Sequence, residues 1–326
     1  NKLTLYHYKK SKNYKKILKY FNYNPKKIIE INKIPFIPIR LFKEFDMIST
    51  NKKNIIKTLL SSGTTGDKRS KIFLDKNNAS NQVKALQKIM TTILGTERLP
   101  MLIIDKNFKN LDRTQFNARV AAINGFSIFG KDHTFILNSE GEINYRILNN
   151  FFKKYSKNKF LIFGFTSFVF ESLINKLSKK LIFSNFRNGI LVHGGGWKKL
   201  ENLKVSNKDF KKKLSKKINL NNIHNYYGLV EQTGSIFLEC KCGYFIASNF
   251  SDVIIRDDQL NICKTGQKGF IQLLSLLPSS YPGHSILTED IGEIVKDDNC
   301  KCYGPGTRFL VHGRLQSAEL RGCSNI

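Results

Sequence analysis

The spacing of apolar positions changes along the chain, and each change predicts a different kind of element. Residues 1–57 mix Lys-rich helical patterns with "IPFIPIRLF", where Pro35 and Pro38 force an extended path. In "KNNASNQVKALQKIMTTILG" the residues Val83, Leu86, Ile89, Met90 and Ile93 recur at helical spacing, and Gly95 supplies a stop. "PMLIIDK", "FLIFGFT" and "GILVHGGG" are continuous apolar runs that end in Asp105 or in glycine and hydroxyl turns, as buried strands do. Between the last two, "SFVFESLINKLSKK" reads as an amphipathic helix. Strand, loop, helix, strand predicts an α/β domain with ligand loops at the strand ends. From about residue 236 the texture turns to short strands and turns, which predicts a β-rich lobe. No internal repeat interrupts this order.

Composition narrows the class. At 326 residues, 41% hydrophobic and 12% aromatic, the chain predicts a globular protein rather than a disordered one. The formal charge of +29 is spread through every segment, without zinc-finger spacing or a ribonucleoprotein motif, so no nucleic-acid partner is expected. "NKLTLYHYKK" lacks the apolar segment of a secretory signal, and the chain begins at Asn1 without Met, so a short leading segment is expected to precede it. "FLIFGFTSFVF" is too short for a transmembrane helix, which takes about 20 residues. Six cysteines in a chain this long form no small secreted framework. The expectation is a cytoplasmic protein with reduced thiols and no transmembrane segment.

Candidate chemistry starts at "LLSSGTTGDKRSKIFLD". Two readings stand side by side: a turn between buried strands, or a phosphate cradle built from Ser62, Gly63, Thr64, Thr65 and Gly66. It is not a Walker loop, because Lys68 falls where that pattern needs its second glycine. Further on, "VHGGGWKKL" places three glycines after a strand, and "NYYGLVEQTG" pairs tyrosines with a turn glycine and Glu231. "HSILTEDIGEI" ends a strand at an acidic cluster, and "FLVHGRLQSAELRGCSNI" carries Arg314 and Cys323.

In that order these segments resemble the adenylate-forming superfamily of carboxylate ligases. More narrowly, "SSGTTG", "HGGGWKKL", "YYGLVEQTGSIF", "SYPGHSILTEDIG" and "GRLQSAELRGC" resemble LuxE-type acyl-protein synthetases, from "RLFKEFD" near residue 40 to the end. The resemblance implies the large α/β domain of that superfamily with a β-rich lobe, lacking the mobile C-terminal lid. On this basis residues 1–312 form the adenylate-forming core, α/β to about 235 and β-rich over 236–312, and residues 313–326 form an arm.

The resemblance also implies roles. Ser62, Gly63, Thr64, Thr65 and Gly66 would hold ATP phosphates, and Gly194, Gly195 and Gly196 would line an adenine and acyl pocket where a side chain would collide. Tyr227 would face the adenine, Glu231 would coordinate Mg²⁺, Asp290 would accept from the ribose hydroxyls, and Arg314 would sit near the ribose and α-phosphate. Two departures qualify the pattern: Asp67, Lys68 and Arg69 replace the usual Pro-Lys-Gly, leaving open which cation meets the triphosphate, and Val230 replaces the usual Thr. No lid lysine can be assigned. Cys323 stands nine residues past Arg314, an arm reaching at most roughly 30 Å, and the resemblance makes it the acyl acceptor.

The implied activity is ATP- and Mg-dependent activation of a carboxylic acid, by family expectation a long-chain fatty acid, to acyl-AMP. Transfer to the Cys323 thiol and delivery to a partner acyl reductase or other acyl-accepting protein would follow. The rivals are a ligase that releases acyl-CoA and a non-catalytic basic nucleotide- or nucleic-acid-binding protein. Cys240 and Cys242 form one C-x-C and Cys300 and Cys302 another, which leaves structural zinc and reduced free thiols as alternatives. Cys263 is assigned to the core, and His193 and His312 to packing or hydrogen bonding.

Overall fold

The computed structural model describes residues 1–27, 30–61, 68–107, 118–178, 183–197, 205–296, 300, 302 and 306–314. The described residues divide into two compact units, one made of Asn1–Ile89 with residues 228–314, the other of Met90–Tyr227. The second boundary lies close to the composition change near 235. The first 89 residues, however, join the β-rich segment rather than the α/β part.

Long-range burial explains that placement. In the first unit, α1 (Lys2–Lys10) and α2 (Lys12–Tyr20) turn about Ser11, whose hydroxyl accepts from the Tyr14 amide at 3.4 Å. Their lysines leave one face apolar enough to bury Tyr14 and Leu18 completely. On the same face His7 stacks on His284 with 4.9 Å between ring centroids. Its Nε2 donates to the Pro278 carbonyl at 3.2 Å, so in the neutral ring Nδ1 accepts from the Ser49 hydroxyl at 2.7 Å. The extended path expected at Pro38 becomes β1 (Ile37–Pro38), parallel to residues 286–287, followed by one turn, α3 (Leu41–Glu44). Next, β2 (Ile55–Leu60) and β3 (Lys71–Asp75) form an antiparallel hairpin.

The helix expected from residue 76 is α4 (Lys76–Leu94), and Gly95 follows it with φ +79°. Leu86, Ile89 and Met90 lie on its buried face as expected, but Val83 is 43% exposed, whereas Gln82 is 4% exposed. The cause is the close approach of Gly234, where a Cβ would lie 2.7 Å from that of Gln82.

The second unit is a five-stranded parallel sheet. Along the chain run β4 (Leu99–Lys106), α5 (Ala118–Phe126), β5 (Gly130–Leu137), α6 (Tyr145–Tyr155), β6 (Phe160–Phe165), α7 (Thr166–Val169), β7 (Gly189–Gly194), α8 (Asn207–Ile218) and β8 (Asn222–Tyr227). The strand order is β5-β4-β6-β7-β8, every pair parallel. Both faces are covered, which is why these strands read as continuous apolar runs. Leu102, Ile104, Ile162 and Leu191 pack with Phe151, Phe170 and Phe210 of the helices, while Phe163 stacks on Phe126 of α5. The amphipathic helix expected over 167–180 takes another form: one turn of α7 widens into a π-helix over Phe170–Lys176. At the end of β4, buried Asp105 accepts from Nε of buried Arg119 on α5 at 2.7 Å, fixing the crossover where the strand order reverses.

The first unit resumes with β9 (Phe237–Glu239), β10 (Phe245–Ile246), β11 (Ser251–Arg256), β12 (Gly269–Ser275), β13 (Ser285–Ile294) and β14 (Arg308–Arg314). They form an antiparallel ladder in the order β11-β12-β13-β14-β10-β9. One edge of β13 is shared, its first residues pairing with β1 and residues 290–294 with β14.

Burial lowers the His7 pKa from 6.5 to about 4 and the His284 pKa well below 6.5. An unfolded chain therefore takes up protons that the folded chain refuses. Stability from this pair is full above pH 6.5 and is lost as pH falls toward 4, by about 3 kcal/mol for His7 alone. Denaturant melts over that pH range should show this slope in the wild type. His7→Gln should be less stable at neutral pH and show a shallower acid loss; an equal slope would remove His7 as its source.

Candidate functional site

Glu231 lies in the short turn Val230–Gln232 and is 5% exposed. The turn is held by its neighbour Gln232, whose amide donates to the carbonyls of Gly283 at 2.8 Å and Leu273 at 3.1 Å. The backbone there passes so close that a Cβ on Gly283 would lie 2.7 Å from the Glu231 carbonyl. Burial pushes the Glu231 pKa up, while the Ser70 hydroxyl and the charges of Arg314 and Lys43 act against that shift. A carboxylate offers the oxygen donors that a hard divalent ion prefers.

Asp290 and Arg314 are cross-strand partners on β13 and β14, and Arg314 Nε donates to Asp290 Oδ1 at 3.2 Å. Asp290 is 8% exposed, and its backbone amide donates to the Thr288 hydroxyl at 3.1 Å. The structure thus gathers Glu231, Asp290 and Arg314 in one unit, with Arg314 acting on both carboxylates.

The proposed phosphate cradle, Ser62, Gly63, Thr64, Thr65 and Gly66, lies outside the described residues, as does Cys323. Its flanks are described. Ser61 and Ser70 close the β2–β3 hairpin, with the Ser61 amide donating to the Ser70 carbonyl at 3.0 Å and the Ser70 amide to the Ser61 hydroxyl at 2.9 Å. On the return side of the hairpin Ser70 lies near Glu231. Sequence reasoning did not single out Lys43, whose charge acts on Glu231. It sits on α3, which is tied to β13 by the Arg40–Glu289 ion pair and to the hairpin by Lys68–Glu44 at 2.7 Å. The motif "RLFKEFD" was visible, but only the fold brings its lysine toward Glu231.

On the second unit, the glycine turn after β7 behaves residue by residue. A Cβ on Gly194 would lie 2.6 Å from the Tyr226 ring, and Gly195 has φ +80° with Phe165 at 3.0 Å. At Gly196 the protein itself leaves space, and a Cβ would meet nothing within 4 Å. Tyr227 ends β8 next to Tyr226, whose ring packs 4.9 Å from that of Phe126. His193 is a packing residue, as expected: it shares a 2.9 Å hydrogen bond with Thr166, and burial lowers its pKa to about 3. His312 lies 3.4 Å from the Glu293 carboxylate, and Cys263 is buried.

Cys240, Cys242, Cys300 and Cys302 come together, with all four Sγ atoms within 4.8 Å of one another. Such a cluster has the donors to hold a metal ion. No helix among the described residues is long and apolar enough to cross a membrane.

The fold is that of the large domain of adenylate-forming ligases. A 2-hydroxyisobutyryl-CoA ligase in an open conformation, in complex with 2-HIB-AMP and CoA, superposes with a TM-score of 0.73 at 13% identity, over 96% of this chain and 67% of that one. The same ligase in its postadenylation state with R3-HIB-AMP gives 0.68 at 12% identity, over 95% and 65%. ATP-bound MatB from Rhodopseudomonas palustris gives 0.53 at 15% identity, over 83% and 50%. This chain therefore spans about 65% of the length of the first of these ligases. A search of curated protein sequences found no match. The family model "Acyl-protein synthetase, LuxE" matches residues 2–326, and the chain belongs to that family.

The glycine geometry carries its own test. Gly194→Ala should lose roughly 1–3 kcal/mol of stability through the clash with Tyr226. Gly196→Ala should stay within about 0.5 kcal/mol of the wild type by chemical denaturation. Equal losses would mean that close approach is not what requires glycine at 194.

Proposed function

We propose that the protein activates a carboxylic acid, a long-chain fatty acid by family expectation, with ATP and passes the acyl group to its own Cys323. The observation that carries the reading is the buried Glu231 carboxylate beside the cross-strand Asp290–Arg314 pair, in a chain of the LuxE family. The substrate carboxylate oxygen attacks the α-phosphorus, an acyl–O–P bond forms, and pyrophosphate leaves. Asp290 would accept from the ribose hydroxyls, and the planar Arg314 fork, oriented by Asp290, would bind the phosphate anion. Tyr227 would face the adenine, with the Gly194–Gly196 turn beside it. Glu231 would hold Mg²⁺, which supplies neutralisation of the charge on the departing pyrophosphate. Lys43 and the hydroxyls of the 62–66 loop would meet the remaining phosphate charge.

In the second step the Cys323 thiolate attacks the acyl carbonyl, the C–S bond forms and AMP leaves. A tethered thiol needs no external acceptor to be captured from solution. The acyl thioester then suits transfer to a partner such as an acyl reductase. A second reading, release to coenzyme A, takes its support from the CoA-bound ligase of similar fold.

Cys323→Ser separates the two half-reactions, because a hydroxyl without an activating base is a poor substitute for a thiolate. Acid-dependent ATP–pyrophosphate exchange should stay within about twofold of the wild type, while hydroxylamine-sensitive labelling by radioactive fatty acid should fall at least ~100-fold. Full turnover of the mutant with added coenzyme A, and no covalent label on the wild type, would favour the coenzyme A reading instead.

A further inference from the structure

The two C-x-C pairs lie 60 residues apart in sequence and on different connections of the first unit, yet their sulfurs converge. Cys240 and Cys242 occupy the turn between β9 and β10; Cys300 and Cys302 occupy the connection between β13 and β14. Across the gap, Cys240 Sγ lies 3.7 Å from Cys300 Sγ, and Cys242 Sγ lies 3.8 Å from Cys302 Sγ. Disulfides would need about 2.05 Å. A tetrahedral zinc with Zn–S bonds of about 2.3 Å places its sulfurs about 3.8 Å apart, the separation found across both pairs.

The backbone around the thiols is built to present them. The Cys240 amide donates to the Tyr244 carbonyl at 2.8 Å and the Gly243 amide to the Cys240 carbonyl at 3.0 Å, closing a tight turn that aims both thiols the same way. Gly243 takes φ +91°, a conformation that a side chain at this position would strain. On the other arm, Arg308 Nη2 donates to the carbonyl of Cys300 at 2.8 Å. Cys240 and Cys300 are buried with Ile246, and Tyr244 packs against them, while Cys242 is exposed and gives an ion a route in. Four thiolates and a divalent ion leave an excess negative charge, and the Arg308 guanidinium, bonded to the Cys300 carbonyl, lies next to it.

The position of the cluster gives it a consequence. β10 is two residues long, and its register with β14, Phe245 opposite Phe309 and Ile246 opposite Arg308, is all that these two strands share. β14 carries Arg314 at its far end. We propose that the four cysteines bind one zinc ion as a tetrathiolate clamp that locks the β9–β10 turn to the β13–β14 connection and so holds the strand that presents Arg314. The clamp requires four deprotonated thiols and one Zn²⁺, with the released protons going to solvent. It is independent of whether the acyl group passes to Cys323 or to coenzyme A.

The test uses the full chain purified without chelator or metal-affinity resin. Elemental analysis should find about one zinc per chain, and exchange with Co²⁺ should give the visible bands of a tetrahedral thiolate site. Cys242→Ser should lose the metal, and Cys263→Ser should keep it. In the wild type stripped of metal, amide hydrogen exchange over Arg308–Arg314 should accelerate at least ~10-fold relative to β11 and β12 of the same molecules. A folded wild type with no metal, with stoichiometric iron, or with all four thiols freely reactive overturns the site. Unchanged exchange over β14 after metal removal overturns the clamp, and neither result depends on a variant that fails to fold.

Discussion

A carboxylate removed from water is the constraint around which the first unit is organised. Glu231 is buried, and burial raises its pKa, so an isolated charge there would be expensive. The charges that oppose this cost come from two separate stretches of chain, Lys43 on α3 and Arg314 at the end of β14. That requirement makes sense of features that look unrelated one at a time. β1 runs along β13 and delivers α3, Gln232 pins the turn to the carbonyls of Leu273 and Gly283, and Gly283 lets the backbone pass without a side chain. The Asn78 amide oxygen, which accepts from Ser279 and Ser280, ties the start of α4 to the turn that leads into β13.

The second unit solves a different problem. Its parallel strands are buried on both faces, so polar groups can appear only at the strand ends, and they do. Asp105 with Arg119 lies at the end of β4, Thr166 with His193 at the ends of β6 and β7, and the glycine turn follows immediately. Tyr226 presses on Gly194 so closely that the turn has no room for a side chain at that position.

Much of this was legible in the sequence, for physical reasons that also mark its limits. Continuous apolar runs announce two-sided strands, so β4, β6 and β7 could be found, and the five short motifs could be ordered because each is local. Gln82 displacing Val83 from the buried face of α4 could not be found, since the cause is Gly234, far along the chain. The widening of the helix after β6 into a π-helix leaves no trace in hydrophobic spacing. The joining of residues 1–89 to the β-rich segment depends on His7 meeting His284, and the place of Lys43 depends on Arg40 meeting Glu289. Two C-x-C pairs were visible as pairs, but only the ladder of β9, β10, β13 and β14 brings them together. The phosphate loop and Cys323 rest on motif alone, because both lie outside the described residues.

The central claim is that a carboxylate attacks the α-phosphorus of ATP at this site, and isotope position tests it most directly. A fatty acid carrying ¹⁸O in both carboxylate oxygens should be incubated with the protein, Mg²⁺ and ATP, and the nucleotide product analysed by mass spectrometry. Attack at the α-phosphorus followed by thiolysis leaves one ¹⁸O on the phosphate of AMP, and that is the predicted result. Label in inorganic phosphate with ADP as the nucleotide product, or AMP formed without label, would contradict it.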